Sequence, residues 1–157
     1  MNNPISIQEL VDFLDEANKN TYANKDVEKA MSSRIESQDY HFESGNLIYH
    51  DTYFGSDKFI GGEIVYKDKQ PVWGMNYYGF ELDDNILDDK IGPFLKKALM
   101  QEYDNIIPVR GPKNFSAKDK EYRFSVNGDL KNFTGIEEIS FNNKTVYRCF
   151  VHGGFIR

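Results

Sequence analysis

Residues 59–79, FIGGEIVYKDKQPVWGMNYYG, return 74 positions later as residues 133–153, FTGIEEISFNNKTVYRCFVHG. Of the 21 paired positions five are identical: Phe59 and Phe133, Gly61 and Gly135, Glu63 and Glu137, Val72 and Val146, Gly79 and Gly153. Both copies run F-x-G-x-E, an aliphatic residue, a turn, and valine followed by an aromatic. Two copies are too few for a solenoid, so the feature reads as a duplicated hairpin within one sheet.

The turns fix a register to test. With two-residue turns at Asp68-Lys69 and Asn142-Asn143, Val65 is expected opposite Val72, Glu63 opposite Gly74, Gly61 opposite Asn76 and Phe59 opposite Tyr78. In the second copy Glu137 would face Arg148 as a cross-strand ion pair, and Phe133 would face His152. Ile60, Ile64, Trp73, Met75 and Tyr77 then form a greasy face suited to a helix. Glu63 is left on a sparse face beside Gly61 and Gly74, which give it room but no partner.

The flanking sequence supplies the helices and further strands. Ser6 and Glu9 have capping-box spacing, Ile5 and Leu10 a hydrophobic staple, and Ile7, Leu10, Val11, Leu14 and Ala17 an apolar stripe, which predicts a helix over 6–19. Residues 20–39 are polar and leave open a loop, a short helix around Val27–Met31, or a lid. From Tyr40 to Gly79 strand-like runs alternate with turns, and a second set follows from Glu121. Pro93 at a first helical position, with Phe94, Leu95, Ala98 and Leu99, predicts a second helix over 93–102. The expected fold is α+β: one domain over residues 1–157, with a curved, mainly antiparallel sheet of roughly six to eight strands under two helices.

A net charge of −6 over 157 residues argues against nucleic-acid binding through phosphates. The single cysteine, Cys149, forms no internal disulfide. No signal segment or membrane span is read, so a soluble cytoplasmic protein is expected. His41, His50 and His152 lack metal-ligand spacing, and DDNILDD lacks the pattern of a calcium loop. No P-loop, dinucleotide or nucleophile-elbow motif is present, so neither a metal nor a cofactor is expected.

Chemistry is therefore sought around Glu63. A pocket with a polar floor is expected from Asp51, Tyr53, Glu63, Asn76 and Tyr78, with Arg110 and His152 at its rim. His50 and Asp51, adjacent on a strand, point to opposite faces and cannot act on each other. Arg110, held between Pro108 and Pro112, is the candidate anion anchor. Three readings follow: a small-molecule binding or sensing domain; an enzyme using Glu63 or Asp51 as general acid or base with Arg110 holding an anionic group; and an acidic protein-interaction or inhibitor module using ELDDNILDD.

The motifs YHFESGNLIYHDTYFGSDKFIGGEIVYKDKQPVWGMNYYG, GPFLKKAL, VRGP, FTGIEEI and VYRCFVHGG together resemble an uncharacterised bacterial domain family that also occurs fused C-terminal to helix-turn-helix transcriptional regulators. The resemblance runs from the first helix to the last residue. It implies a compact α+β module serving as a sensor or effector domain, and no established activity.

Overall fold

The computed structural model describes residues 4–82, 88–102 and 107–156. Helix α1 (Ile7–Lys19) starts as its sequence requires. The Glu9 amide donates to Ser6 Oγ at 3.1 Å, and the staple residues Ile5 and Leu10 are buried. Strands β1 (Gln38–Ser44), β2 (Leu47–Gly55), β3 (Lys58–Lys67) and β4 (Gln70–Glu81) form a meander. After helix α2 (Asp88–Leu99), the meander repeats as β5 (Asn114–Ala117), β6 (Lys120–Asp129), β7 (Asn132–Phe141) and β8 (Lys144–Phe155). The fold is α+β, as expected. No helix among the described residues is long and apolar enough to cross a membrane.

All eight strands form one curved antiparallel sheet in the order β1-β2-β3-β4-β8-β7-β6-β5. The duplication extends well beyond the hairpin. Strands β3 and β4 match β7 and β8 end for end at the 74-residue offset, and the turn residues Asp68, Lys69, Asn142 and Asn143 all have positive φ. Where the halves meet, Tyr77 pairs with Val151, its own counterpart in the second copy, so an approximate two-fold axis passes between β4 and β8. The outer strands follow the same plan at an offset of 73, with Phe42 paired to Tyr49 and Phe115 to Tyr122. Three residues separate the paired Gly55 and Phe59, whereas four separate Gly128 and Phe133. That single extra residue ends the gapless repeat at the hairpin.

Both helices lie on one face. Phe13 of α1 packs on Phe42 at 5.9 Å between ring centroids, and Phe94 of α2 packs on Phe115 at 5.6 Å. The core between them contains Tyr49, Val65, Trp73, Met75, Tyr122, Phe124, Phe133 and Ile139.

One helix boundary changes. The helix predicted over 93–102 spans Asp88–Leu99, with Pro93 inside it. Ile91, Phe94, Leu95 and Ala98 keep helical spacing and are all buried, so covering Ile91 carries the helix back past the proline. Residues 20–39 contain turns and one bridge, Ala30 to Asp39, with no helix around Val27–Met31. Of the acidic run ELDDNILDD, residues 83–87 lie outside the described residues.

The register also differs by one residue. Lys67 pairs with Gln70 across the expected turn, but the pairing slips between Val65 and Tyr66 and leaves Val72 as the extra residue of a bulge. Glu63 therefore faces Met75, Gly61 faces Tyr77 and Phe59 faces Gly79. The second copy bulges in the same place, between Ile139 and Ser140, with Val146 extra. Because side chains alternate between faces, one added residue turns the rest of β4 over. Trp73, Met75 and Tyr77 share the helix-covered face with Glu63. Ile60 and Tyr78 lie on the open face, both exposed.

Candidate functional site

Glu63 and Asp51 form the polar centre of the covered face. Asp51 of β2 and Glu63 of β3 are direct cross-strand partners, and each is only 4% exposed. They line a cavity of about 270 Å³ between the sheet and the two helices, together with Tyr22, Tyr49, Tyr53, Phe59, Tyr77, Arg110 and Tyr147, and with Ile91, Gly92 and Leu95 of α2.

Hydrogen bonding separates the two acids. Tyr77 donates its hydroxyl to Asp51 Oδ1 at 2.6 Å. Gly61 makes this reach possible, because a Cβ there would lie 2.5 Å from the Tyr77 hydroxyl oxygen. The hairpin glycines thus admit aromatic neighbours and do not themselves create the void; the Phe59 ring likewise fills the space over Gly79. The Tyr49 hydroxyl favours the Glu63 carboxylate, yet Glu63 Oε2 is buried with no partner among the described residues.

The electrostatics follow. Burial pushes the Glu63 carboxyl up to about 8, and the neighbouring Asp51 charge adds to the rise against the opposing pull of Arg110 and Tyr49. Burial also raises Asp51, to about 6, with the Tyr77 hydrogen bond and Arg110 holding it lower than Glu63. Both acids are raised by burial, so the pair gives up its protons at higher pH than free carboxyls do.

Arg110 is an interior cation and not a rim residue. It is 8% exposed, and its Nε and Nη2 donate to Glu137 Oε2 and Oε1 at 2.9 and 2.7 Å. Tyr122 and Tyr147 donate to the same carboxylate at 2.7 and 2.9 Å, and the Gly111 amide donates to the Tyr122 oxygen at 2.9 Å. Burial disfavours the guanidinium charge, but Glu137 overrides it and holds Arg110 protonated. The expected Glu137–Arg148 pair is replaced, because the bulge moves Arg148 opposite Glu138, which accepts from it at 2.8 and 2.6 Å.

Of the residues expected around the pocket, Asp51, Tyr53, Glu63 and Arg110 meet at the cavity. Asn76, Tyr78 and His152 lie on the opposite, open face, where Asn76 pairs with His152. The bulge is the reason. Tyr22, Tyr49, Tyr77 and Tyr147 were not foreseen at the site. The F-x-G-x-E repeat does mark both glutamates, but only the bulged register brings Tyr77 to Asp51.

A second polar cluster lies behind the site. Asp39 is fully buried and accepts from Ser33, Ser37 and Thr52 hydroxyls at 2.6, 2.6 and 2.8 Å, with His50 Nε2 at 2.6 Å. Burial opposes its charge, but these donors hold its carboxyl well below the usual range. Ser33 donates to Asp39 and not to His50, so the cluster is a structural hub tying residues 30–39 to β1 and β2, not a nucleophile relay. Among the described residues no group of three His, Cys, Asp or Glu side chains is placed to hold a metal.

The family model described as Domain of unknown function (DUF5680) matches residues 51–156, and the chain belongs to that family. The match begins at Asp51 in β2 and takes in both glutamates and Arg110. No curated protein and no solved structure matches the chain.

Proposed function

We propose that this DUF5680 domain binds a small molecule in the cavity over β2–β4, with Glu63 and Asp51 taking the polar group of the ligand. The reading rests on one observation: Glu63 lines a cavity of about 270 Å³, and its Oε2 is buried with no hydrogen-bond partner among the described residues. Leaving a buried polar atom unsatisfied costs roughly 1–3 kcal/mol. A ligand donor at that oxygen removes the cost. Tyr22, Tyr53, Phe59, Tyr77 and Tyr147 supply the apolar walls that such sites combine with a few polar groups. The resemblance to domains fused to helix-turn-helix regulators supports a sensing role in a bacterial cytoplasm.

A metabolite panel screened by thermal shift tests the proposal on wild type and Glu63→Gln. A ligand that raises the melting temperature of wild type and not of the variant is the expected result. Equal shifts in both proteins for every hit would place binding elsewhere and sink the reading.

A second reading is favoured by the separation of the two acids, about 6 for Asp51 and about 8 for Glu63. Such a pair, one ionised and one protonated near neutral pH, is suited to acid–base catalysis. Turnover of the bound ligand, lost in Glu63→Gln while binding persists, distinguishes an enzyme from a sensor. Arg110 bonds Glu137 through Nε and Nη2 in either case.

A further inference from the structure

The internal repeat indicates what the cavity is built to take. Glu63 and Glu137 are counterparts, and so are Tyr49 and Tyr122, which pair with Val65 and Ile139 at matching positions. Each glutamate is buried on the covered face beside that tyrosine hydroxyl. At Glu137 the space over the carboxylate is filled by the Arg110 guanidinium, which bonds both oxygens. Among the described residues none takes that place at Glu63, and Oε2 is left without a donor.

We propose that the cavity binds an organic cation carrying a guanidinium or primary ammonium group, which sits against Glu63 as Arg110 sits against Glu137. The inference rests on the cavity being the binding site. Charge supports it: Asp51, Asp57 and Glu63 line the cavity, and the one guanidinium among its described lining residues, Arg110, is already bonded to Glu137. Lys29 and Lys96 already sit over the Tyr53 and Tyr22 rings, and the Phe59, Tyr77 and Tyr147 rings supply further aromatic lining of the kind a cation favours. An anionic ligand would meet the Asp51 and Glu63 pair, and the guanidinium of Arg110 is bonded to Glu137.

The pairing has a proton signature. Glu63 faces Tyr49 and Asp51 from β2, Tyr77 from β4, Glu137 from β7, Cys149 from β8, and Arg110. In that setting it holds its proton up to about pH 8. A bound cation favours the carboxylate, so binding releases the Glu63 proton to the buffer, and affinity rises as pH rises from 6 towards about 8.

Calorimetry with n-butylguanidinium chloride on the full chain tests this, with butyramide and butyrate as neutral and anionic controls. Two variants accompany wild type. Glu63→Gln keeps the shape and removes the charge. Gly92→Trp fills the cavity from α2, where an added Cβ meets nothing within 4 Å. The expected result is binding of the guanidinium alone, tighter at pH 8 than at pH 6, with a heat that depends on the buffer. Affinity should fall at least ten-fold in Glu63→Gln and be lost in Gly92→Trp. If butyrate or butyramide binds and Gly92→Trp blocks it while the guanidinium does not bind, the cavity reading stands and the cation inference falls. Guanidinium binding that survives both variants lies elsewhere on this acidic protein and overturns the inference, as does no binding by any probe.

Discussion

The two halves of this protein place a glutamate at the same point of the same bulged hairpin and treat it in opposite ways. Glu137 receives four hydrogen bonds, two from Arg110 and one each from Tyr122 and Tyr147. Glu63 has an oxygen with no partner among the described residues, a cavity beside it and a second acid across the strand. The counterpart of Asp51 in the second half is Phe124, paired with Glu137. One half satisfies its buried carboxylate internally; the other leaves a carboxyl oxygen without a partner among the described residues. A duplicated scaffold thus holds a structural copy and a candidate functional copy of one element.

The comparison breaks most visibly on the structural side. Arg110→Met leaves Glu137 buried without its counter-charge and should cost about 3–5 kcal/mol of stability, read from the urea midpoint at pH 7. A loss below about 1 kcal/mol would mean that the tyrosines alone satisfy Glu137.

On the other side the sign reverses with pH. The Glu63 carboxyl is raised from 4.5 to about 8 in the folded state, so the unfolded chain releases this proton first as pH rises. Folding stability from this group is intact below about pH 4.5 and is lost progressively as pH rises to about 8. Asp51 adds a smaller loss, between 3.8 and about 6. Glu63→Gln should remove the larger part of this slope and equal or exceed wild type in stability at pH 8. A variant less stable than wild type at pH 8 would show that Glu63 is satisfied after all.

Tyr77→Phe removes the donor to the buried Asp51 and should cost about 1–3 kcal/mol at pH 7, while raising the Asp51 carboxyl above about 6, which carbon-detected NMR titration can follow. Smallest of all is Arg148→Ala. Its partner Glu138 lies on the open face, and the arginine is 36% exposed, so the loss should be about 0.2–1 kcal/mol. That variant separates the cross-strand pair expected for Glu137 from the interior pair it makes with Arg110.

Much of the scaffold is legible in the residues. The capping box and apolar stripe place α1, the turn residues mark the meanders, and the F-x-G-x-E repeat marks both halves and both glutamates. Local rules reach this far because capping, turns and alternation depend on neighbours within a few residues. The full extent of the repeat was hidden by one extra residue between Gly128 and Phe133. Pocket membership was legible for Asp51, Tyr53, Glu63 and Arg110 but not for Tyr77, which reaches Asp51 over a glycine on the intervening strand. Asn76 and Tyr78 were assigned to the Glu63 face by strict alternation, and the bulge put them on the other.

The sequence by itself therefore determined the α+β class, the first helix, the hairpin duplication and the presence of an unusual glutamate at position 63. Tertiary structure decided which face that glutamate shares and which of the two copies is neutralised. The bulge at Val72 is a choice between registers that local turn geometry permits equally, and it is settled by burying Trp73, Met75 and Tyr77 under the helices. The partner of Glu137 comes from Arg110, 27 residues away. No spacing rule spans that separation; only the folded sheet brings the charge to one glutamate and leaves the other open.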